Sequence, residues 1–216
     1  GERIKSELKQ TFNLNKAECL ERFISEKIYR LVDKNIDIPS DLALLSAKCE
    51  NFISKYKNQL NSNDFIWLIY LGTLISRSSS DKIIEISNRL LLSGIETEIL
   101  SGARSILNKI HLLKEVQSRF EIYELFEGYF PESILIGLIN SDDELIERNT
   151  DLYLNELQNI KIYTTGKTLI EAGLIPGPIF GEILRELLEA KINQKISTQE
   201  DELEYINRFV SRNSRN

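Results

Sequence analysis

Methionine is missing from all 216 residues, and the chain opens on Gly1. Such a chain is expected to be cut from a longer protein or to carry a residue left by processing, so motifs it lacks weigh little. Histidine occurs once, as His111. Zinc sites built on paired histidines are thereby excluded, and a lone Ser-His-Asp triad would lack the Gly-x-Ser-x-Gly elbow that exposes its nucleophile. His111 shares a polar helical side with Arg104, Asn108 and Lys114, which reads as a solvated surface residue. The two cysteines, Cys19 and Cys49, fall in helical patterns and read as small buried thiols rather than a disulfide, a usage that suits a reducing compartment. No apolar run approaches the roughly 18 residues of a membrane helix, and no charged-then-apolar leader opens the chain. The expectation is a soluble, cytoplasmic protein without a membrane partner.

What is present is helix. "AECLERFISEKIYRLV" spaces Leu20, Phe23, Ile24, Ile28 and Leu31 along one face, with charges on the other. The same period runs through "DLALLSAKCENFISKY", "NDFIWLIYLGTLISR", "DKIIEISNRLLL", "TEILSGARSILNKIHLLKEVQSRF", "DELIERNTDLYLNELQ" and "FGEILRELLEAKI". Only "NIKIYTT" alternates like a strand, and it reads as an extended linker. An all-α fold follows: a multi-helix bundle, then a smaller helical tail. "GLINSDD" marks the division near residue 140, giving the end of a first helix over 1–12, a body over 13–139 and a tail over 140–216, with 211–216 frayed. Capping boxes are expected at Ser141 with Glu144, Thr168 with Glu171, and Ser197 with Glu200.

Charge is uneven. The net value is −6, yet residues 161–216 hold eight Lys/Arg against eight Asp/Glu, so the whole acidic excess lies in 1–160. That argues against a generally basic nucleic-acid binder and confines any phosphate contact to a local site. "TTGKT" offers one. A nucleotide-binding P-loop would need a glycine at position 161, where Lys161 stands, and a long helix afterwards, which Gly173, Pro176, Gly177 and Pro178 prevent. The acidic runs Asp142-Asp143-Glu144 and "QEDELE" each follow a capping hydroxyl and enrich a helix's first turn in negative charge, which explains them without a metal. No catalytic residue is visible, and no metal ligand set.

The stretch "TGKTLIEAGLIPGPIFGEILRELLEAKI" is the informative one. Thr168 is expected to cap a short helix, Gly173 to end it in the left-handed conformation, and Pro176-Gly177-Pro178 to turn the chain into a second helix, with Gly181 letting the first pack closely. A helical hairpin of this kind presents open backbone amides suited to a nucleic-acid phosphate. A tight hairpin whose glycines serve packing alone is the competing account. Lys161, Lys167, Arg185 and Lys191 favour phosphate, although Glu182, Glu186 and Glu189 are interleaved with them.

This segment resembles the C-terminal tail of bacterial class II tRNA nucleotidyltransferases and the related poly(A) polymerases. Gly166, Leu169, Gly173, Pro176, Gly177, Pro178, Gly181, Leu184, Ile196, Ser197 and Glu200 match the family pattern, and Thr168 stands where the family has Asp. "EIYELFEGYFPESILIGLI" and "LYLNELQNIKIY" are similar to the stretch leading into that tail. At the other end "ERIKSEL" resembles the neck motif through Glu2, Arg3, Ile4, Glu7 and Leu8. The resemblance covers about 118–208 and 1–8, and does not separate CCA-adding, A-adding and poly(A)-adding members.

The resemblance implies the end of the neck, the body and the tail without the catalytic head, since the family's Gly-Gly-x-Val-Arg-Asp, Asp-x-Asp and Glu-Asp-x-x-Arg motifs are not in this sequence. It further implies an RNA-holding role for an enzyme that adds nucleotides, adenosine first among them, to the 3′ end of tRNA or RNA. Mg²⁺ and ATP or CTP would serve that head, and no cofactor is expected here. The partners implied are the tRNA or RNA 3′ region and the protein's own head, with a homo-oligomer left open. The RNA contacts expected are Lys161, Gly166, Lys167, Thr168, Gly177, Gly181 and Arg185, with Arg104, Lys109, Lys114 and Arg119 as a second surface. A non-catalytic helical scaffold that binds a protein stands as the alternative.

Overall fold

A computed structural model describes the backbone of residues 1–14 and 16–213 and the side chains of 1–14 and 16–210. Every regular element among the described residues is helical. In chain order the α-helices are α1 (Glu2–Phe12), α2 (Ala17–Ser25), α3 (Leu42–Lys55), α4 (Ile66–Leu74), α5 (Ser80–Leu90), α6 (Gly94–Lys109), α7 (Arg119–Phe126), α8 (Pro131–Ile139), α9 (Glu144–Asn155), α10 (Gly166–Glu171), α11 (Ile179–Ile192) and α12 (Gln199–Asn213). Two compact units form: residues 1–115 with 125–154, and residues 116–124 with 155–216. The expected division near 140 falls inside the first. Of the tail end expected to fray, the helix continues to Asn213, and 214–216 lie outside the described residues.

The first unit is organised by two helices with no solvent-exposed face. "IWLIYLGTL" forms α4 and "PESILIGLI" forms α8, and every residue of both is buried. They pack on each other, and α6 packs on α8. Glycine sets these distances. A Cβ on Gly72 would stand 2.4 Å from Ile136, and one on Gly137 would stand 2.4 Å from Ile106. α8 also carries Glu132, fully buried, whose Oε1 accepts the amide of Asn61 at 2.8 Å. Burial pushes this carboxyl above its ordinary value, although hydrogen bonds from the Asn61 and Ser62 amides pull the other way. The N-terminal helix is tied to this unit by Lys5, which meets Glu96 at 2.5 Å, while Glu96 completes a capping box with Ser93 at the start of α6.

Two long periodic stretches break where continuous helix was expected. After α2 the chain turns left-handed at Lys27, φ 59°, and continues only as a 3-10 turn over Ile28–Leu31. Likewise α6 gives way to a 3-10 segment over Ile110–Lys114 before α7. Periodicity survives a 3-10 turn, because residues three apart still share a side. His111 is exposed within the second of these segments.

Cys19 and Cys49 are both free. Burial raises the Cys49 thiol to about 12, against the opposing pull of its hydrogen bond with Thr73.

In the second unit, Leu169, Ile183, Leu187 and Ile206 form the buried centre, contributed by α10, α11 and α12. No described helix is long and apolar enough to cross a membrane.

Candidate nucleic-acid interface

Helix α10 starts one residue before the lysine of "TTGKT" and is six residues long. Its cap corrects the sequence expectation. Thr165 is the N-cap and accepts the amide of Thr168, while the Thr168 hydroxyl returns a bond to the Thr165 amide, so Thr168 is the third helical residue and not the cap. The other two expected boxes shift in the same manner. Asp143 accepts the amides of Leu145 and Ile146 in place of Ser141. At α12, Thr198 accepts the amide of Asp201, and the Asp201 carboxylate accepts those of Ser197 and Thr198. The Thr198 and Ser197 amides hold this carboxyl at about 2. Each of these sequences has two or three capping residues in a row, so spacing alone selects the wrong partner.

The helix ends at Gly173, φ 89°, whose amide donates to Ile170 while Leu174 donates to Leu169. Helix α11 then begins with Pro178 as its N-cap. Gly181 does not serve close packing, which corrects that expectation: a Cβ there meets nothing within 4 Å, and one on Gly177 reaches only the Ile175 carbonyl at 4.0 Å. Gly166 stands in ordinary contact distance of Phe180. The loop between the helices is open to solvent, with Ile175 83% exposed.

The cations divide into free and engaged. Lys161 is exposed and pairs with no acid among the described residues; Lys167 is exposed and reaches Glu171 at 3.7 Å. Arg185 is committed within the second unit, donating to Glu124 at 2.8 Å and lying 4.6 Å over the Phe120 ring. Arg119 pairs with Glu156 and donates to the Ile192 carbonyl in the same unit. The other three residues of the second expected surface sit in the first unit, where Arg104 donates to Ser76, Lys109 lies 4.3 Å over Tyr129 and Lys114 pairs with Asp143 at 2.7 Å.

One polar cluster in the second unit does not follow from the sequence pattern. Glu202 is fully buried and accepts the amide of Tyr163, the amide and hydroxyl of Thr164, and the Lys191 ammonium at 2.8 Å. Burial opposes its charge, but Lys191 and these donors outweigh burial and hold the carboxyl below its ordinary value. Within the acidic run "QEDELE" nothing marks this residue, except that it lies three positions before the apolar Tyr205 and four before the buried Ile206 on the inward side of α12.

Two known proteins resemble the chain. No family model matches the chain. Over 144 residues, 63% of this chain, it is 26% identical to an A-adding tRNA nucleotidyltransferase of Geobacter sulfurreducens, of which the match covers 16%. It also superposes on a solved structure of a CCA-adding enzyme in complex with CTP, with a TM-score of 0.74 and 21% identity, covering 97% of this chain and 50% of that one. The chain therefore spans half the length of that structure and less of the curated relative.

Proposed function

This chain is tRNA nucleotidyltransferase-like in sequence and fold, and we propose that it is the RNA-holding portion of a template-independent nucleotidyltransferase that extends tRNA 3′ ends, with adenosine as the nucleotide. The fold likeness along 97% of the chain carries this reading. The A-adding activity of the Geobacter relative supports adenosine. In this reading Mg²⁺ and ATP or CTP serve the transfer step. The chemistry belongs to a head outside these residues.

The contribution of this portion is position. Holding a 3′ end in line with a nucleotide removes part of the entropic barrier to transfer. Lys161 and Lys167, exposed beside the open hairpin, are the cations best placed to take backbone phosphates, while Gly177 and Gly181 carry no side chain that would keep a backbone away. Arg185 acts by holding Phe120 and Glu124 in place.

An electrophoretic mobility shift with tRNA tests the proposal. Affinity is expected to fall as salt rises, because phosphate contacts release counterions, and Lys161→Glu and Lys167→Glu are each expected to weaken binding. Absence of binding at every low-salt condition, or affinity independent of salt, would favour a scaffold for a protein partner instead.

A further inference from the structure

Tyr163 is an aromatic side chain that the fold supports and does not use. It is 58% exposed and stands apart from the hydrophobic centre of its unit. Its backbone is nonetheless firmly held. The Tyr163 amide donates to both oxygens of Glu202, at 3.1 and 2.9 Å, and the next residue adds two more bonds to the same carboxylate at 2.8 Å each. The Lys191 ammonium that neutralises Glu202 also lies 3.7 Å from the centroid of the Tyr163 ring. An ammonium over a ring face holds the ring by its quadrupole. With Lys191 over the ring, the residue still remains more than half exposed.

Order without burial is the unusual combination. An exposed tyrosine ordinarily loses side-chain freedom when a partner lands on it, whereas here backbone and ring are fixed beforehand, which lowers the cost of binding. The surroundings say what the partner is. "KIYTTGK" contains no acidic residue, and Lys161 and Lys167, two positions before Tyr163 and four after it in the chain, are both exposed. An exposed aromatic ring on a segment whose own charges are exposed cations fits a nucleotide that is not base-paired, its base on the ring and its phosphates toward the lysines.

We propose that Tyr163 is a stacking platform for an unpaired base of the bound RNA, with Lys161 and Lys167 taking the flanking phosphates. The proposal rests on the RNA-holding reading above and adds that this tail recognises a splayed nucleotide rather than duplex alone. Glu202 and Lys191 are positioning residues in this scheme, acting through the ring they hold.

Fluorescence anisotropy with a labelled tRNA transcript and with a blunt RNA duplex provides the test. Tyr163→Ala is expected to weaken tRNA binding by roughly tenfold, the size of one base stack. The slope of affinity against salt is expected to stay unchanged, because no phosphate contact is lost. Tyr163→Phe keeps the ring and is expected to bind like wild type, and the duplex is expected to bind all three proteins alike. Since the ring packs into no core, unchanged far-ultraviolet circular dichroism is expected for both variants. Wild-type protein that binds tRNA in a salt-dependent manner while Tyr163→Ala binds equally well would overturn the platform and leave the RNA-holding reading standing. Wild-type protein that binds no RNA would overturn both.

Discussion

Glu202 and Glu132 are both fully buried carboxylates, yet their environments push them in opposite directions. Glu202 has a cation and three donor groups, so its folded form prefers the charge. Its contribution to stability is complete above the ordinary value of 4.5 and is lost as pH falls through the lower folded value. Glu132 has amides but no cation among the groups that bond it, and burial prevails. Its folded form prefers the proton, so its contribution is complete below 4.5 and is lost as pH rises through the raised folded value. Acid is therefore expected to loosen the 163–164 attachment before it loosens the Asn61 turn. For Glu202→Gln we expect a loss of about 3 kcal/mol in urea unfolding at neutral pH, because Lys191 loses its buried partner. The difference from wild type should shrink as pH falls from 4.5 through the lower folded value, where wild-type Glu202 itself gains a proton. A gap that stays constant down to low pH would show that the carboxylate charge is not what holds the segment.

Among the helices, glycine has two distinct uses. Gly72 and Gly137 permit α4, α6 and α8 to meet side chain against backbone, and a methyl group at either would have to displace an isoleucine. Gly181 lies in α11 with open space around it and an ordinary backbone conformation, so nothing in the chain itself demands glycine there. The pair gives a sharp contrast. Gly137→Ala is expected to destabilise by about 1–3 kcal/mol through overpacking, whereas Gly181→Ala is expected to be neutral or to stabilise by up to about 1 kcal/mol through lower unfolded-state entropy. Thermal unfolding of the two variants measures this. In the proposed function Gly181→Ala should also weaken tRNA binding, so a variant that is more stable and binds less tightly is the expected combination. Equal destabilisation by both would return Gly181 to a packing role.

Helix existence was legible from the period, and so was the left-handed glycine that closes α10, since Gly173 sits at the end of an apolar pattern just ahead of a proline. Caps were less legible. In "YTTGKT", "NSDDE" and "KISTQED" several short polar side chains compete for one amide, and which of them wins depends on where the backbone leaves the helix.

Both units carry a small acidic excess, 22 Asp/Glu against 18 Lys/Arg in the first and 11 against 9 in the second, the second also carries the open hairpin, and the proposed role of the chain is binding rather than chemistry. The 216-residue chain, incubated with tRNA, Mg²⁺ and labelled ATP, is expected to incorporate no label. Incorporation would place the catalytic groups within these residues and overturn that role.

The all-α class followed from the sequence alone, because a 3.6-residue apolar period repeated along the chain can bury its stripes only as packed helices. The burial of "IWLIYLGTL" on every side did not, since the stretch reads in the sequence as one more one-faced helix. The partition of cations did not. Lys161, Lys167, Arg185 and Arg119 look alike in a sequence, and only the packing of the second unit commits the two arginines to Glu124 and Glu156 while leaving the two lysines in solvent. Tyr163 is the same case. Its ring becomes a fixed and open face through Lys191 and Glu202, residues 28 and 39 positions away, and contacts at that separation carry no periodic signature along the chain.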